Sequence, residues 1–117
     1  MNRIIHVKIT SDEPDRITDF YRKSFNWKIT KFPDPPDGWR MESGKGPGVN
    51  CSVYRSDDSP MDRHISMAIS VESIDGVSER VIRAGGRVMH EKIRAFGNSY
   101  LYCQDPDGNV ICLVEFG

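Results

Sequence analysis

The 117-residue sequence contains no long hydrophobic run and no cluster of positive charge. Without a stretch of about 18 apolar residues, no membrane-spanning helix is expected. The net charge is −1 and no run of Lys or Arg occurs, so we expect neither nucleic acid nor an anionic membrane surface as a partner. The stretch MNRIIHVKIT lacks the apolar core and cleavage site of a secretory signal, and we therefore expect a cytoplasmic protein.

Cysteine is scarce and its spacing is irregular. Cys51, Cys103 and Cys112 form an odd set with no Cys-x-x-Cys pair, which argues against a disulfide framework or a zinc knuckle and suits a reducing compartment. The rest of the composition, with 38% apolar and 28% charged residues, is that of an ordinary globular chain. The length predicts a single domain over residues 1–117.

The first half of the chain predicts the order strand, helix, strand, strand, strand. Residues 3–10 (RIIHVKIT) are rich in β-branched side chains and predict a strand. Pro14 suits the first turn of a helix, and residues 11–13 offer cap oxygens. The apolar stripe of that helix is Ile17, Phe20, Tyr21 and Phe25. Strands are expected at 27–32, 39–43 and 48–55, with an irregular proline-rich segment at 33–38.

A polar linker at residues 56–63 is followed by the same order of elements. A strand is expected at 64–71, and then a helix with Ser73 as its N-cap and Gly85 or Gly86 as its stop. The stripe of this helix is Ile74, Val77, Val81 and Ala84. Strands are expected at 87–93, 98–104 and 109–116, and residues 105–108 (DPDG) predict a type I turn.

The two halves match at a spacing of 60 residues, at which His6 corresponds to Ser66 and Ser52 to Cys112. The matching order of elements predicts a duplication, with one module at 1–58 and another at 64–117.

Three stretches, HVKITSDEPDRITDFYRKSFNW, RAGGRVM and YLYCQDPDGNVICLVE, make the chain similar to the vicinal oxygen chelate superfamily. This superfamily includes glyoxalase I, bleomycin-resistance proteins and extradiol dioxygenases. The resemblance implies an α+β fold in which two tandem βαβββ modules form a curled eight-stranded mixed sheet around a cleft. It also implies metal ligands on the first and last strand of each module, normally two His or Gln and two Glu.

By that resemblance, the four ligand positions fall on His6, Ser52, Ser66 and Cys112. A divalent metal in a cleft needs three or four strong ligands, and this set contains one imidazole and no carboxylate. We therefore expect no cofactor. A divalent metal held by His6, His64 and Cys112 is the alternative, since His64 is in phase with Ser66 on one strand face. A nucleophilic pair of His6 and Cys112 is a further alternative.

Aromatic residues predict the rest of the cleft lining. Trp39 follows the proline-rich segment and Phe96 precedes a Gly-Asn pair, so both are expected at the mouth of the cleft, whereas Trp27 is expected in the core. Asn50 is in phase with Ser52 and adds a polar anchor. The expected ligand-binding residues are His6, Asn50, Ser52, Ser66, Cys112, Trp39, Phe96, Tyr100 and Tyr102.

Two charged or titratable residues are expected to lie outside the cleft. Glu115 is three residues past Cys112 and so points to the opposite face of the strand, where it is expected as a solvent-side or dimer-side charge. His90 is expected in a surface strand next to Glu91.

Two functions follow from these expectations. The first is a glyoxalase-like or bleomycin-resistance-like protein that binds a small organic molecule in an aromatic-lined cleft without the usual metal site. The alternative is a metal-dependent lyase or isomerase, or a dioxygenase, of glyoxalase type. Either way, a homodimer is expected because four-stranded half-shells leave strand edges that pair readily.

Overall fold

The computed structural model describes residues 2–34, 36–57 and 65–117, and in these ranges it contains two helices and nine strands, an α+β fold. The chain forms two compact units, one of His6–Ile65 and one of Ser66–Gly117 with Met1–Ile5. The elements are β1 (Arg3–Ser11), α1 (Pro14–Phe25), β2 (Lys28–Lys31), β3 (Gly38–Glu42), β4 (Cys51–Arg55), β5 (Ile65–Ser70), α2 (Ile74–Arg83), β6 (Arg87–Val88), β7 (Ile93–Ala95), β8 (Asn98–Gln104) and β9 (Val110–Phe116).

The strands of the His6–Ile65 unit have the order β2-β3-β4-β1. β1 runs parallel to β4, and the other neighbours are antiparallel. Met41 and Val53 are completely buried. Val53 pairs with Trp39, which is two residues before Met41 on β3, so Met41 and Val53 lie on the same face of the sheet. Helix α1 packs against β2, β3 and β4 and covers this face.

Helix α1 begins at Pro14, as predicted, but the polar residues before it do not cap it in the expected way. Glu13 is the N-cap residue and its side chain accepts no capping hydrogen bond. Ser11 Oγ instead accepts a hydrogen bond of 3.0 Å from the backbone N–H of Glu13. The helix ends at Asn26, whose φ of 59° is left-handed and whose N–H donates to the carbonyl of Arg22.

The predicted apolar stripe of α1 is only partly buried. Phe20 and Phe25 are 55% and 57% exposed, and the helix instead buries Pro14 and Thr18. The aromatic side chains pack on one another and on the residue that follows the helix, with Tyr21 and Trp27 stacked at 5.2 Å between ring centroids. Trp27 therefore belongs to an aromatic cluster on the helix and is half-buried, rather than part of the buried core.

The strands of the second unit have the order β5-β9-β8-β6, and β7 also pairs with β8. β5 runs parallel to β9, and β8 is antiparallel to its three partners β9, β6 and β7. The expected strand at 87–93 is two short strands, so the described part of the chain has nine strands instead of eight. The break has a physical reason: the backbone N–H of Tyr102 donates to His90 Nε2 at 3.2 Å, and the imidazole thereby takes the place of a strand carbonyl.

The core of the second unit lies between its sheet and α2, and consists of Val71, Ile74, Leu101, Cys103 and Leu113. Ser73 is the N-cap as predicted, since its Oγ accepts a hydrogen bond of 3.2 Å from Gly76 N–H. Gly85, with a φ of 99°, follows the helix as the predicted left-handed residue. The last residue of the expected stripe, Ala84, is exposed.

Glu115 was predicted on the opposite face to Cys112, and it lies there, but it is not a free surface charge. Its Oε1 accepts a hydrogen bond of 2.8 Å from the backbone N–H of Ile74, the first residue of α2. The first N–H groups of a helix have no partner within the helix, and a carboxylate is the acceptor that suits them best. Glu115 therefore ties the last strand to the start of the helix.

The predicted turn between β8 and β9 is present. Asp105 Oδ1 accepts hydrogen bonds of 2.9 Å from the N–H groups of Asp107 and Asn109, and Asp105 Oδ2 accepts one of 2.8 Å from Asn109 Nδ2. Gly108, with a φ of 87°, donates its N–H to the carbonyl of Asp105. These bonds hold the pKa of Asp105 below its ordinary value, with the Asn109 side chain as the largest cause.

Neither helix of the described ranges is long and apolar enough to cross a membrane. The prediction that modules 1–58 and 64–117 form one domain stays a prediction.

Candidate functional site

A row of polar side chains crosses the face of the first unit's sheet that α1 leaves open. Lys8 on β1 is in register with Ser52 on β4, which is in turn in register with Arg40 on β3. Side chains of directly paired residues lie on the same face, and faces alternate along each strand. This face is therefore opposite to the one that carries Met41 and Val53.

His6 and Ser52 form the central contact of this face. His6 Nε2 lies 2.9 Å from Ser52 Oγ, within hydrogen-bond distance. Ser52 is only 4% exposed, and His6 is half-buried. The contact has a simple origin: β1 and β4 are parallel neighbours, and His6 is two residues before Lys8, the residue paired with Ser52. The sequence prediction placed both residues at ligand positions, and the structure brings them into contact.

Burial is the main influence on the His6 imidazole. It holds the pKa of His6 below the ordinary value of 6.5, and the positive charge of Arg40 lowers this pKa further. Both causes disfavour the imidazolium, since a charged group loses hydration when it is buried and is repelled by a neighbouring cation. At neutral pH the side chain is therefore a neutral imidazole that has one N–H donor and one lone pair.

Asn50 lies at the edge of the same face and supports the loop between β3 and β4. Its Oδ1 accepts a hydrogen bond of 3.4 Å from the N–H of Ser43, and its backbone carbonyl accepts one of 3.3 Å from the N–H of Val7. The side-chain oxygen is therefore already engaged, and the Nδ2 amide remains the group that Asn50 offers to a ligand.

In the second unit, the predicted site residues also share the face opposite the helix. Cys112 pairs with Ala68 on β5 and with Tyr102 on β8. Tyr100 and Ser66 lie on this face by strand alternation, because Leu101 and Leu113 belong to the core under α2. Tyr100 Oη accepts a hydrogen bond of 3.4 Å from Asn98 Nδ2. Ser66 is 4% exposed.

His90 is a candidate that the sequence did not indicate. It lies outside any strand, is half-buried, and its ring centroid is 5.5 Å from that of Tyr102. Because Nε2 accepts the Tyr102 N–H, Nδ1 carries the proton and donates to the carbonyl of Glu91 at 2.5 Å. The expectation of a surface strand at His90 was therefore wrong. No pattern in the sequence shows that a side chain will replace a strand carbonyl.

The two aromatic residues predicted at the mouth of a cleft, Trp39 and Phe96, have different surroundings. Trp39 is 9% exposed and lies on the helix side of the first sheet, away from His6, with Lys31 Nζ 4.4 Å from its ring centroid. Phe96 is 96% exposed at the tip of the β7–β8 hairpin, where Phe96 and Gly97 have φ values of 52° and 78°. The two-residue hairpin loop requires this left-handed backbone and points Phe96 into solvent.

A different aromatic pair lies on the His6 face. Phe32 and Tyr54 have ring centroids 6.0 Å apart, and both rings lie over Gly38. A Cβ at position 38 would come within 2.5 Å of Tyr54 Cε1 and 3.0 Å of Phe32 Cδ2. The missing side chain of Gly38 therefore makes room for an aromatic shelf, formed by Phe32 and Tyr54, beside the polar row.

The donor groups at the expected ligand positions do not fit a divalent metal. Ser52 offers a neutral hydroxyl, which is a weak ligand, and that hydroxyl is hydrogen-bonded to the one imidazole nearby. Within residues 2–34, 36–57 and 65–117, no three His, Cys, Asp or Glu side chains are grouped so that they could hold a metal ion. His64, the third ligand of the alternative metal site, lies outside the described residues.

Cys51 and Cys103, the two cysteines outside the predicted site, offer no thiolate. Burial raises the pKa of both Cys51 and Cys103, so both are protonated at neutral pH.

A depression of about 430 Å³ in the first unit lies away from His6, where β1 ends and α1 begins. Its walls include Ile9, Ile17, Tyr21 and Ile65, with Asp12, Glu13 and Arg16 at its rim. The depression contains none of the predicted site residues, and two of the charged residues at its rim, Arg16 and Glu13, are paired with each other at 2.8 Å.

Comparisons with known proteins agree with the fold. The family model of the glyoxalase/bleomycin resistance protein/dioxygenase superfamily matches residues 3–113. No curated protein matches the sequence significantly.

Solved structures share the fold at low sequence identity. A hypothetical protein from Bacillus halodurans C-125 is 20% identical with a TM-score of 0.70, and the match covers 99% of this chain and 95% of that one. A superfamily member from Vibrio splendidus 12B01 is 13% identical with a TM-score of 0.68, over 98% and 99% of the two chains. Methylmalonyl-CoA epimerase from Mycobacterium tuberculosis is 16% identical with a TM-score of 0.66, over 97% and 87%. With the family model matched over nearly its whole length, this chain belongs to the glyoxalase/bleomycin resistance protein/dioxygenase superfamily.

Proposed function

We propose that this protein binds a small organic molecule on the open strand face of its first unit, next to His6 and Ser52, and that it does so without the metal site usual in its superfamily. The observation that supports this is the 2.9 Å contact between His6 Nε2 and Ser52 Oγ. His6 and Ser52 are two positions at which the resemblance implies metal ligands, and here their side chains are hydrogen-bonded to each other.

A metal at this position would have to displace an existing hydrogen bond. Coordination through Nε2 would break the hydrogen bond to Ser52 and leave a nearly buried hydroxyl without that partner, at a cost of about 1–3 kcal/mol. The hydroxyl would return little as a ligand, because it binds a cation only weakly when it keeps its proton. An organic ligand needs no such exchange, since a neutral imidazole and a hydroxyl offer it both donors and acceptors.

We also propose that the comparable face of the second unit, considered by itself, offers a surface to a small organic molecule. Cys112, Tyr100 and Tyr102 share that face, and half-buried His90 packs beside Tyr102. Aromatic rings and a thiol give an apolar surface with few polar groups, which suits the hydrocarbon part of a small molecule.

The alternative function is catalysis of glyoxalase type, as a lyase, isomerase or dioxygenase. Structures with this fold include methylmalonyl-CoA epimerase in complex with methylmalonyl-CoA, at 16% identity, which is a likeness of fold. A neutral His6 is suited to accept a proton. The metal-dependent version of this function needs carboxylate ligands at closing-strand positions, where this chain has Ser52 and Cys112.

The deciding experiment combines metal content with ligand binding. We expect purified protein to contain less than stoichiometric metal and to keep its Tm in the presence of EDTA. We expect a panel of benzoate, benzamide, phenylacetate and methylmalonyl-CoA to include a binder that shifts the amide resonances of β1 and β4. His6→Ala and Ser52→Ala should both weaken that binding, while Ser24→Ala, on the exposed side of α1, should not.

Two outcomes would contradict the proposal. Stoichiometric metal whose removal lowers Tm would establish a metal site, because a ligand bound only to the folded state stabilises it. Proton–deuterium exchange of methylmalonyl-CoA that depends on added metal would establish the catalytic alternative.

We further propose that the protein is a homodimer, as the open sheet edges suggest. Light scattering after size-exclusion chromatography should give twice the 13.3 kDa mass of the chain.

A further inference from the structure

The strand face with His6 and Ser52 also carries a cation, Arg40. Arg40 lies directly across from Ser52 on β3 and is exposed. It makes no hydrogen bond or ion pair with any residue of the described ranges. A guanidinium is a rigid, permanently charged donor of five N–H groups, and its geometry matches a carboxylate.

The acidic residues close to Arg40 along the chain are paired with other cations. Glu42 Oε2 lies 3.9 Å from Lys28 Nζ, and Asp37 Oδ1 lies 3.3 Å from Lys31 Nζ. Asp37 is also 3.9 Å from Arg55. Arg40 therefore has a positive charge that these carboxylates do not neutralise locally, and its neighbour across Ser52, Lys8, has the same sign.

The aromatic shelf of Phe32 and Tyr54 is next to Arg40 on the same face of the sheet. Gly38, over which both rings close, is two residues before Arg40 on β3, so the two positions are about 7 Å apart. Tyr54 and Phe32 are both half-buried, so their rings are partly open to a ligand. The Tyr54 hydroxyl makes no hydrogen bond with a described residue.

We propose that the ligand of this face is an aromatic carboxylate, whose anionic group binds Arg40 and whose ring packs on Phe32 and Tyr54. This inference rests on the proposed function and specifies the ligand class of the same site. Three features support it: a cation that has no hydrogen-bond or ion-pair partner among the described residues, an aromatic surface over Gly38, two residues before Arg40 on β3, and a Ser–His pair between Arg40 and β1 that offers further hydrogen bonds. The guanidinium of Arg40 is also close enough to the centre of the face to lower the pKa of His6, after burial, which is the larger cause.

The test uses benzoate and its neutral counterpart benzamide, which have nearly the same shape and differ in charge. Binding to the whole protein is followed by amide shifts in NMR and by calorimetry. We expect benzoate to bind at least about 10-fold more tightly than benzamide, equivalent to about 1.4 kcal/mol. The shifted amides should belong to β3, β4 and the shelf.

Substitutions separate the charge from the shelf. Arg40→Gln should weaken benzoate at least about 10-fold and make the affinities for benzoate and benzamide similar. Arg40→Lys should restore part of the preference, because it restores the charge without the fork geometry. Tyr54→Ala should weaken benzoate and benzamide alike. Lys23→Gln, on α1 and 76% exposed, is the matched control for loss of one positive charge and should change neither affinity.

The outcomes distinguish this inference from the broader proposal. If a neutral member of the panel binds in a manner sensitive to His6→Ala while Arg40→Gln leaves the benzoate preference intact, the ligand class is wrong and the proposed function stands. If benzoate and benzamide bind wild type equally, the role of Arg40 is also wrong. If no member of the panel perturbs β1, β3 or β4, the proposed function and the inference both fail.

Discussion

His6 and Ser52 are 46 residues apart in the chain, and their side chains lie 2.9 Å apart on the open face of one sheet. Parallel pairing of β1 with β4 produces this contact. The resemblance of the sequence to the superfamily implies metal ligands on these two strands. Here the same two positions form a neutral hydrogen-bonded pair, and Arg40 lies across from Ser52 on the same face.

The titration of His6 should show both causes of its lowered pKa. We expect its imidazole NMR signals to titrate with a midpoint below 6.5, with the unfolding free energy falling as pH drops from 6.5 through that midpoint. The sign follows because the unfolded chain binds the proton more readily than the folded one. Arg40→Gln should raise the midpoint but leave it below 6.5, because burial is the larger cause. Lys23→Gln should leave it unchanged, and a midpoint above 6.5 in wild type would contradict the assignment.

Removal of the Glu115 carboxylate should loosen the start of α2. Glu115→Ala leaves the backbone N–H of Ile74 without its 2.8 Å acceptor, and we expect a loss of about 1–2 kcal/mol in unfolding free energy. Chemical denaturation measures this loss. Glu115→Gln keeps an acceptor oxygen and should recover part of it. Glu79→Ala, at an exposed position of the same helix, is the control and should stay within about 0.5 kcal/mol of wild type.

Gly38 should tolerate alanine only when the aromatic shelf is reduced. A Cβ at this position would lie 2.5 Å from Tyr54 Cε1, and we expect Gly38→Ala to cost about 1–3 kcal/mol through overpacking. In a Tyr54→Ala background the same substitution should cost clearly less, because the clashing ring is gone. A double-mutant cycle from urea unfolding gives this coupling. Additive costs would mean that the ring and position 38 do not touch.

Acid should weaken the Asp105 turn in a residue-specific way. The pKa of Asp105 is held low by hydrogen bonds from Asn109 and the turn backbone, so its contribution to stability is present above the ordinary carboxyl pKa of 3.8 and is lost as pH falls through the lowered value. Asp105→Asn should therefore be less stable than wild type at pH 7, and the gap should narrow toward pH 2. Asp107→Asn, in the same turn, is the control. A gap that is constant with pH would show that the carboxylate charge is irrelevant.

Local structure was largely predictable from the residues. Pro14 at the start of α1, Ser73 as the cap of α2, Gly85 after it and the turn at Asp105 were each expected and are present. Such features depend on the backbone preferences of one residue and its near neighbours, which is why a short stretch of sequence contains them. The order of elements, read with the resemblance, extended this to the α+β fold.

Several features of the candidate site depend on contacts between strands far apart in the chain. Arg40 and Ser52 are brought together by the antiparallel register of β3 and β4, and alternation in β3 alone does not give that register. The same is true of Glu115 at the helix and of His90, whose imidazole replaces a strand carbonyl. The burial of aromatic rings was equally hard to predict. Trp39 is buried on the helix side of the sheet, whereas Phe20 and Phe25 of the α1 stripe are exposed, because apolar character alone does not show which rings the sheet covers.

The amino-acid sequence alone determined the superfamily, the positions of most strands and helices, and the absence of carboxylates at the expected ligand positions, because these depend on residue type and local order. Only the tertiary structure decided that Ser52 hydrogen-bonds to His6, that Arg40 lies beside them with no ion-pair partner among the described residues, and that Gly38 makes room for an aromatic shelf. Strand register and ring packing are set by the best burial available to the whole unit, and no segment contains that information by itself.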